Sequence, residues 1–465
     1  MPPSYRRTAG GGTGDARSRR TDRPNRKIPL DESSNIRNTV AQSLRLPFAV
    51  RHAPTGRRLT DPSDPATERL RPTARTLSPR RTSRSRHAAR PSRSHLHLSE
   101  RAQAPLLVWV LVPQVESDDP AIQYYYDFAQ SEGEFQRAFA ALRIDYRWQP
   151  VTLANVRPVL EAIRQASGDR APVVFNLCDG DEMNGAPGLS VIRHLDQLGL
   201  PYTGADERFY EVTTSKITMK SAFEAACVPT APWEVIPAGA KRVNGLFARI
   251  PGPLILKPAV SAGSLGIGTR NVVHSPRELH AQLAALRQGV HGWSVAEGGL
   301  FVERFIEGPE FTTFIVGNAR ASDAATVYAP VERVFNRQLP PEERFLSFDR
   351  LWELYERESP VANGEDLWQY APVAAPLAER VKEVSWAAYE AVGGSGYGRV
   401  DLRMDARTGD LFVLEVNAQC GLSEDENVTS IGAIIRVAET SYAAVVEAIL
   451  AEALRHAEEA VRLAS

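Results

Sequence analysis

The sequence contains few residues of the types that build covalent or metal-bound frameworks. Its 465 residues include only three cysteines, four methionines and nine histidines. The cysteines, Cys178, Cys227 and Cys420, lie far apart with no CxxC pair, which argues against a disulfide framework and against a cysteine-based zinc site. The histidines form no HExxH pattern, so a metalloprotease-type zinc centre is not expected either.

Long hydrophobic runs are also missing. No stretch of about 18 uncharged apolar residues occurs, so a transmembrane helix is not expected. The longest apolar run near the N-terminus, residues 104–112, has the length of a strand. The first residues lack the apolar segment of a secretory signal, and we therefore expect a cytoplasmic protein that does not bind a membrane.

The net charge of −1 conceals two segments of opposite charge. Residues 1–100 contain 22 basic and 8 acidic residues, whereas the remainder contains 33 basic and 48 acidic residues. Residues 1–103 are rich in Arg, Ser, Thr and Pro, and we predict a disordered extension because they offer little apolar surface to bury. A basic binding tail, a transit peptide or upstream sequence joined through a misplaced start would explain it. We favour the last, because helical periodicity and aromatic interleaving are missing.

Strand and helix patterns alternate from residue 104 onward. Three segments are typical of strands: 106–112, 143–150 and 172–177. Three others are typical of helices: 131–143, 156–165 and 187–198. This alternation predicts a Rossmann-like, doubly wound domain over residues 104–211. Ligands of such domains bind beyond the carboxyl ends of the strands, so the loop 178–188 is the candidate ligand-binding loop.

A glycine-rich loop follows a strand that ends in a lysine. The strand is predicted over residues 254–258 and contains Lys257, and the loop 259–268 contains Ser264 and Gly266. Free backbone N–H groups beside a lysine favour polyphosphate binding, although no Walker motif is present. A hairpin turn with an exposed lysine is the alternative interpretation.

Residues 301–312 are typical of a strand, a Gly-Pro turn and a second strand with an acid just after the turn. That acid is Glu310. A carboxylate in this place can accept hydrogen bonds from two ribose hydroxyls, whereas a surface hairpin with solvated acids is the alternative interpretation.

The most specific pattern is a predicted hairpin over residues 396–417. Arg399 and Asp401 share one face of its first strand, and Glu415 and Asn417 share one face of its second. Antiparallel pairing can bring all four together. Three oxygen ligands, two of them anionic, suit Mg²⁺ on nucleotide phosphates, and an arginine beside them can stabilise developing charge. A salt-bridged sheet face is the alternative.

In their order, these motifs resemble the ATP-grasp superfamily and, within it, the D-alanine–D-alanine ligases. The resemblance runs from about residue 170 to residue 450. It implies a fold of α/β and α+β class, with a Rossmann-like substrate domain over 104–211, followed by the two-lobed ATP-grasp fold. The small lobe is expected over 212–300 and the large lobe, with the magnesium and catalytic site, over 301–465.

The resemblance also implies roles for individual residues. Lys216 and Lys257 would contact the nucleotide phosphates, and Ser264 and Gly266 would lie in the loop that closes over them. Glu303, Phe305 and Ile306 would contact the adenine, and Glu310 would bind the ribose. Asp401, Glu415 and Asn417 would be the magnesium ligands. Arg399 would be a catalytic residue. The cofactors would be ATP and Mg²⁺, with Mn²⁺ as an alternative metal.

The implied activity is ATP-dependent ligation of a carboxylate to an amine through an acyl phosphate, acting on an amino acid or small peptide. A non-catalytic ATP-binding or regulatory module is the alternative. Survival of the magnesium set favours activity. The acidic remainder predicts no nucleic-acid partner for the folded part, and a homodimer remains open.

The substrate half departs from the ligase pattern. Glu116 is a poor match for the substrate-orienting glutamate of the first loop. Glu182 falls near the glutamate of the second loop, where the ligases also have a histidine, and is our second catalytic candidate. The flap lysine of the ligases is also missing. Arginines between residues 328 and 365 could replace that cation: Arg333, Arg337 and Arg350.

Three acids follow the predicted magnesium strand where the ligases hold an acceptor carboxylate. They are Glu424, Asp425 and Glu426. Like charges there would repel a free carboxylate. We therefore expect an acceptor amine that lacks a carboxylate or carries extra positive charge, rather than D-alanine.

Overall fold

The computed structural model describes residues 105–116, 126–166, 168–240, 242–351 and 366–464. All of these residues lie in one compact unit, Ala89–Ser465. The extension predicted over residues 1–103 lies outside the described residues, as do parts of the loop after residue 116 and of the predicted flap.

The first sheet is parallel throughout. Its strands are β1 (Leu106–Pro113), β2 (Asp145–Val151) and β3 (Ala171–Asn176), in the order β2-β1-β3. The accompanying helices are α1 (Ala129–Leu142), α2 (Val156–Ala166), α3 (Leu189–Leu198) and α4 (Glu207–Thr214). β1 is the middle strand, and its run of leucines and valines is buried because helices cover the sheet on both sides.

A second sheet of four antiparallel strands holds the lysine strand of the phosphate loop. Its strands are β4 (Trp233–Ile236), β5 (Leu254–Pro258), β6 (Val272–Val273) and β7 (Leu300–Arg304), in the order β4-β7-β5-β6. The helices α5 (Lys216–Ala225), α6 (Leu246–Arg249) and α7 (Pro276–Arg287) accompany them. α7 starts where Ser275 accepts the backbone N–H of Glu278 and Pro276 fills the first helical position.

The third sheet holds the predicted magnesium hairpin. Its strands are β8 (Glu310–Val316), β9 (Thr326–Val327), β10 (Val331–Phe335), β11 (Trp368–Pro372), β12 (Tyr397–Met404) and β13 (Leu411–Ala418). The order is β11-β10-β8-β12-β13, and β9 pairs with β8. The helices are α8 (Phe348–Leu351), α9 (Ala375–Ala391), α10 (Ser430–Val437) and α11 (Tyr442–Ala464), and three short 3-10 helices span Thr269–Asn271, Ala319–Ala324 and Pro341–Glu343.

The predicted strands and helices are present, with differences at their ends. The strand expected from residue 143 starts at Asp145, because Arg143 takes a left-handed conformation that ends α1. A single bridge joins Val174 and Tyr202. The last helix, α11, starts at Tyr442, shortly after Glu439, which has a φ of 51°.

The three cysteines lie in different environments. Cys178 and Cys420 are buried, Cys227 is exposed, and all three are free thiols. Over the described ranges, no helix is long and apolar enough to cross a bilayer.

Two left-handed glycines on β-hairpin elements offer a matched stability test. Gly396 has a φ of 72°, and a Cβ there would lie 2.0 Å from the carbonyl oxygen of Gly204, whereas Gly409, with a φ of 75°, has no atom within 4 Å of that position. We expect Gly409→Ala to cost about 1–2 kcal/mol of unfolding free energy from backbone strain. Gly396→Ala should cost about 1–3 kcal/mol more from the clash.

Equilibrium urea unfolding of both variants measures this difference. Equal losses of unfolding free energy in the two variants would show that the backbone of Gly204 can move away from the added Cβ at no energetic cost.

Candidate functional site

One cavity of about 590 Å³ collects the predicted site residues from all three sheets. It lies where β3, β5, β7, β8, β12 and β13 end or pass. The predicted site residues in its lining are Lys216, Lys257, Ser264, Glu303, Phe305, Ile306, Glu310, Arg399, Asp401, Glu415 and Asn417. Gly266 and Glu182 do not line it.

Glu303 on β7 is held between two lysines. Its carboxylate oxygens lie 2.5 Å from Lys220 Nζ and 2.6 Å from Lys257 Nζ, and both Glu303 and Lys220 are 1% exposed. Burial opposes the charge on Glu303, but the two lysines outweigh burial and lower the pKa of Glu303 to about 2. Burial lowers the pKa of Lys220 despite this pairing. Glu303 therefore fixes Lys257 at the cavity wall.

Lys216 links the phosphate loop to the magnesium strand. It is the first residue of α5, its Nζ donates to the carbonyl oxygen of Ser261 at 2.7 Å, and it lies 3.2 Å from Glu415. Both lysines predicted to contact phosphate, Lys216 and Lys257, therefore line the cavity together with the glycine-rich loop.

The glycine-rich loop is shaped by left-handed residues. Ser264 has a φ of 60° and donates its hydroxyl to the carbonyl oxygen of Leu346 at 2.9 Å. Gly266 has a φ of 76°, and a Cβ there would lie 2.8 Å from Pro258. Gly266 thus shapes the loop without lining the cavity, whereas Ser264 lines the cavity.

The adenine-contacting segment predicted at residues 303–306 lies along the same cavity. The backbone N–H of Phe305 donates to Pro253 at 2.8 Å, and the carbonyl oxygen of Ile306 accepts from Arg403 at 2.8 Å. The Arg403 guanidinium stacks 5.0 Å from the Phe305 ring centroid. Arg403 is an unexpected member of the site.

Glu310 is clamped by two arginines. It pairs closely with Arg333 on β10 and lies 3.3 Å from Arg403 on β12. Arg333 also donates to the Tyr370 hydroxyl at 2.8 Å, and its guanidinium lies 5.3 Å from that ring. Arg333, expected as a substitute for the flap lysine, is therefore committed to the predicted ribose acid.

The other two arginines of that expectation lie away from the cavity. Arg350 is buried and pairs with Glu343 at 2.7 Å, and neither Arg350 nor Arg337 contributes to the cavity lining. Neither Arg337 nor Arg350 is therefore placed to substitute for the flap lysine.

The four residues of the β12–β13 hairpin meet as expected. Arg399 lies opposite Asn417 and Asp401 opposite Glu415 in the antiparallel register. Asp401 accepts from Arg399 at 3.0 Å, from the Asn417 side-chain amide at 2.9 Å and from the Thr312 hydroxyl at 2.5 Å. Burial opposes the charge of Asp401, but Arg399 outweighs it and lowers the pKa of Asp401.

The same oxygen donors fit a magnesium ion. Asp401, Glu415 and Asn417 line the cavity side by side and offer two carboxylates and one amide, the hard oxygen ligands that Mg²⁺ prefers. Across the described ranges, no cluster of three or more His, Cys, Asp or Glu side chains is placed to hold a metal. A bound ion would therefore complete its coordination with phosphate or water oxygens.

Glu182, our second catalytic candidate, does not line the cavity. It has a φ of 64°, and its carboxylate accepts the backbone N–H groups of Ser190 at 2.6 Å and Gly188 at 3.2 Å at the start of α3. The carboxylate thus satisfies free N–H groups of a helix N-terminus. Glu116 is also absent from the lining.

The three acids after β13 are largely compensated. Glu424 pairs with Arg137 at 2.6 Å, and Glu426 pairs with Arg436 at 2.7 Å. Of the three, only Glu426 lines the cavity. The repulsion expected against an acceptor carboxylate is therefore much weaker than the sequence indicated.

The same segment ends in groups that suit an anion. Ser430, the first residue of α10, lines the cavity with a buried hydroxyl that has no hydrogen-bond partner in the described structure. A helix N-terminus beside a free hydroxyl favours a carboxylate.

Sequence reasoning missed two acids of the cavity, Asp127 and Asp179. Asp179 follows β3 in the candidate ligand loop and is accessible from the cavity that it lines. The surrounding protein desolvates the carboxylate and raises the pKa of Asp179 to about 6. Its position at the carboxyl end of a parallel strand was the available signal.

The chain is similar in sequence to known D-alanine–D-alanine ligases. Residues 223–451 match the family model described as D-ala D-ala ligase C-terminus. A D-alanine–D-alanine ligase of Desulfotalea psychrophila is 29% identical over 231 residues, which is 50% of this chain and 64% of that protein. D-alanine–D-alanine ligase B of Xanthomonas campestris is 26% identical over 293 residues, which is 59% of this chain and 81% of that protein.

Solved structures show the same fold. The D-alanine–D-alanine ligase of Bacillus anthracis in complex with ATP matches with a TM-score of 0.51 and 19% identity, over 76% of this chain and 99% of that chain. The ligase of Coxiella burnetii matches with a TM-score of 0.53 and 15% identity, over 77% and 97%.

The chain therefore has the fold of these ligases, the two-lobed ATP-grasp fold. It resembles the D-alanine–D-alanine ligases at low sequence identity, as its motifs predicted. The fold class is confirmed, whereas the predicted domain boundaries and residue roles stay predictions.

The lysine-sandwiched acid predicts a large loss of stability in Glu303→Gln. Removing its charge leaves Lys220 and Lys257 without their acid in the interior, which should cost about 3–5 kcal/mol of unfolding free energy. Because the pKa of Glu303 falls from 4.5 to about 2, its contribution should be complete above pH 4.5 and disappear as the pH falls towards 2. Chemical denaturation across this pH range measures both effects.

Glu234→Gln is the matched control. Glu234 pairs with Arg249 at 2.6 Å, but both side chains are substantially exposed, so the variant should lose less than about 1 kcal/mol. Similar losses in the two variants would contradict a special role for the buried pairs.

Proposed function

We propose that this protein is an ATP- and Mg²⁺-dependent ligase that joins a carboxylate to an amine. The observation that carries the proposal is the arrangement of Arg399, Asp401, Glu415 and Asn417 on one face of the β12–β13 hairpin. That face lines the same cavity as Lys216 and the phosphate loop. An ATP-dependent ligase needs phosphate-binding and charge-stabilising groups in one place.

The nucleotide would occupy the end of the cavity formed by the second sheet. Lys257 and Lys216 would bind its phosphate oxygens, with Ser264 in the covering loop. The segment 303–306 offers backbone groups to the adenine edge, and Glu310 offers a carboxylate to the ribose hydroxyls. The ion pairs with Arg333 and Arg403 hold the Glu310 carboxylate in a fixed orientation.

Asp401, Glu415 and Asn417 would hold the magnesium ion, and Mn²⁺ could take its place. The ion supplies positive charge to the phosphate oxygens. Arg399 and Lys216 now neutralise the two carboxylates, so each cation would turn towards a substrate oxygen when the metal binds. Burial opposes the charge of Arg399, but Asp401 raises its pKa, so Arg399 stays cationic.

The chemistry requires no covalent nucleophile from the protein. A substrate carboxylate attacks the γ-phosphate of ATP to give an acyl phosphate and ADP, and an amine then displaces phosphate. Cys420 lines the cavity, but burial raises the pKa of its thiol to about 12, so the thiol stays protonated and unreactive. Positioning and charge stabilisation would supply the acceleration.

An amino acid or a small peptide fits the substrate end best. The α10 N-terminus with Ser430 offers a place for a carboxylate, while Glu424 and Glu426 are neutralised by arginines. D-alanine therefore belongs among the candidate substrates, beside acceptors without a carboxylate. A cytoplasmic location and a homodimer remain predictions.

A non-catalytic ATP-binding module is the alternative. One observation favours it: both carboxylates of the proposed magnesium set are paired with protein cations, Asp401 with Arg399 and Glu415 with Lys216. An inactive protein could keep these ion pairs for stability alone.

The test is ATP turnover across a panel of carboxylates and amines that includes D-alanine, other amino acids, dipeptides and polyamines. We expect ADP release only with a competent pair, together with a new amide product in the mass spectrum. Arg399→Ala should lower kcat by about 100- to 1000-fold with little change in ATP affinity, because the cation acts on developing charge.

Arg157→Ala is the control, since Arg157 makes an exposed i,i+4 pair with Glu161 far from the chemistry. ATP binding without turnover for every pair in the panel would support the non-catalytic alternative. Full activity in Arg399→Ala would contradict the catalytic role proposed for Arg399.

A further inference from the structure

Two carboxylates in the cavity wall, Asp127 and Asp179, lack a cationic partner among the described residues. Among the lining acids, five pair with a lysine or arginine: Glu303, Glu310, Asp401, Glu415 and Glu426. Asp127 accepts the backbone N–H of Ala129 at 2.9 Å, beside the first turn of α1. Asp179 forms no ion pair with any lysine, arginine or histidine that the structure describes.

The loop that carries Asp179 is held firmly. Cys178 donates its backbone N–H to the Asn176 side chain at 3.0 Å, and Gly180 donates its own to Pro187 at 2.9 Å. The hydroxyl of Tyr210 donates to the carbonyl oxygen of Gly180 at 2.8 Å. A carboxylate on so constrained a loop is presented to the cavity in a defined position.

The tyrosines and thiols around Asp179 carry no charge near pH 7. Tyr210 on α4, Tyr397 on β12 and the two thiols, Cys178 and Cys420, are neutral there, because burial raises the pKa of each. The neighbouring acid Asp181, on the same loop, raises the pKa of Asp179 by charge repulsion.

An amide-forming reaction needs such a group. The acceptor amine is an ammonium ion in water near neutral pH and must lose a proton before its nitrogen can attack. A carboxylate that binds the ammonium can also receive this proton, and it does so best when its own pKa lies near the working pH.

We propose that Asp179 binds the ammonium group of the acceptor amine and accepts its proton before attack on the acyl phosphate. This inference rests on the proposed ligase function. It assigns the acceptor class as a primary amine, held by charge from the Rossmann-like side of the cavity. The acidic recognition expected from Glu424, Asp425 and Glu426 comes instead from this single residue.

One proton passes from the ammonium to Asp179, and the freed electron pair forms the new C–N bond at the acyl carbon. The bond between that carbon and the phosphate oxygen breaks, and phosphate departs with the electron pair. The second nitrogen proton goes to the departing phosphate, and Asp179 releases its proton to solvent through the cavity.

Kinetics of Asp179→Asn and Asp179→Glu test the proposal. In Asp179→Asn, kcat/KM for the amine should fall by about 100-fold or more, while the KM for ATP stays unchanged. In the wild type, kcat/KM for the amine should rise with pH through the pKa of Asp179, about 6, and this inflection should be missing in Asp179→Asn. Asp179→Glu should restore part of the rate and the inflection.

Hydroxylamine separates this inference from the proposed function. It is largely uncharged near neutral pH and needs no prior deprotonation, so Asp179→Asn should form hydroxamate from the carboxylate substrate at a rate close to that of the wild type. A wild type that forms neither hydroxamate nor amide would overturn the ligase function itself. An active wild type with equal amine kinetics in Asp179→Asn would overturn only the role of Asp179.

Asp181→Asn is the matched control within the same loop. Asp181 accepts from Asn184 and lies outside the cavity lining. Its amine kcat/KM should stay within a few-fold of the wild type, with the inflection shifted slightly to lower pH. A loss equal to that of Asp179→Asn, or loss of hydroxamate formation in Asp179→Asn, would indicate a disturbed loop and contradict the proposal.

Discussion

The antiparallel register between β12 and β13 is the constraint on which the site depends. It sets Arg399 opposite Asn417 and Asp401 opposite Glu415, and β8 on the other side of β12 sets Thr312 opposite Asp401 and Glu310 opposite Arg403. Because side chains alternate between the faces of a sheet, a slip of one residue would turn β12's members of this set away from the cavity. The buried valines and leucines between them hold the register by packing into the core.

Charge compensation is the second organising feature. Lys257 faces Glu303, Lys216 faces Glu415, Arg399 faces Asp401, and Glu310 sits between two arginines. Buried charges of this kind are tolerated only when they are paired. Polyphosphate and a divalent cation would therefore enter by exchanging partners with groups that are already charged and oriented. Such preorganisation reduces the reorganisation that the reaction itself requires.

Local sequence patterns identified residues that the structure places in the cavity lining. Lys257 was found from a strand and its glycine-rich loop, and Asp401 from period-two alternation, and both residues line the cavity. The structure places Glu182 outside the cavity lining, where it accepts N–H groups at the start of a helix. A loop sequence does not show whether a carboxylate faces a ligand or satisfies the N–H groups of a following helix. Arg403 and Tyr370 were missed because their partners lie up to about a hundred residues away in the chain.

By itself, the sequence determined the class of fold and identified residues that line the cavity, among them Lys257 and Asp401, because strand alternation, glycine loops and turn signals act over a few residues. Only the tertiary structure decided which charges remain available. It neutralised Glu424 and Glu426 through Arg137 and Arg436, and it left Asp179 without a cation at the end of β3. The physical reason is that pairing and desolvation depend on distances between segments far apart in the chain, which no local pattern records.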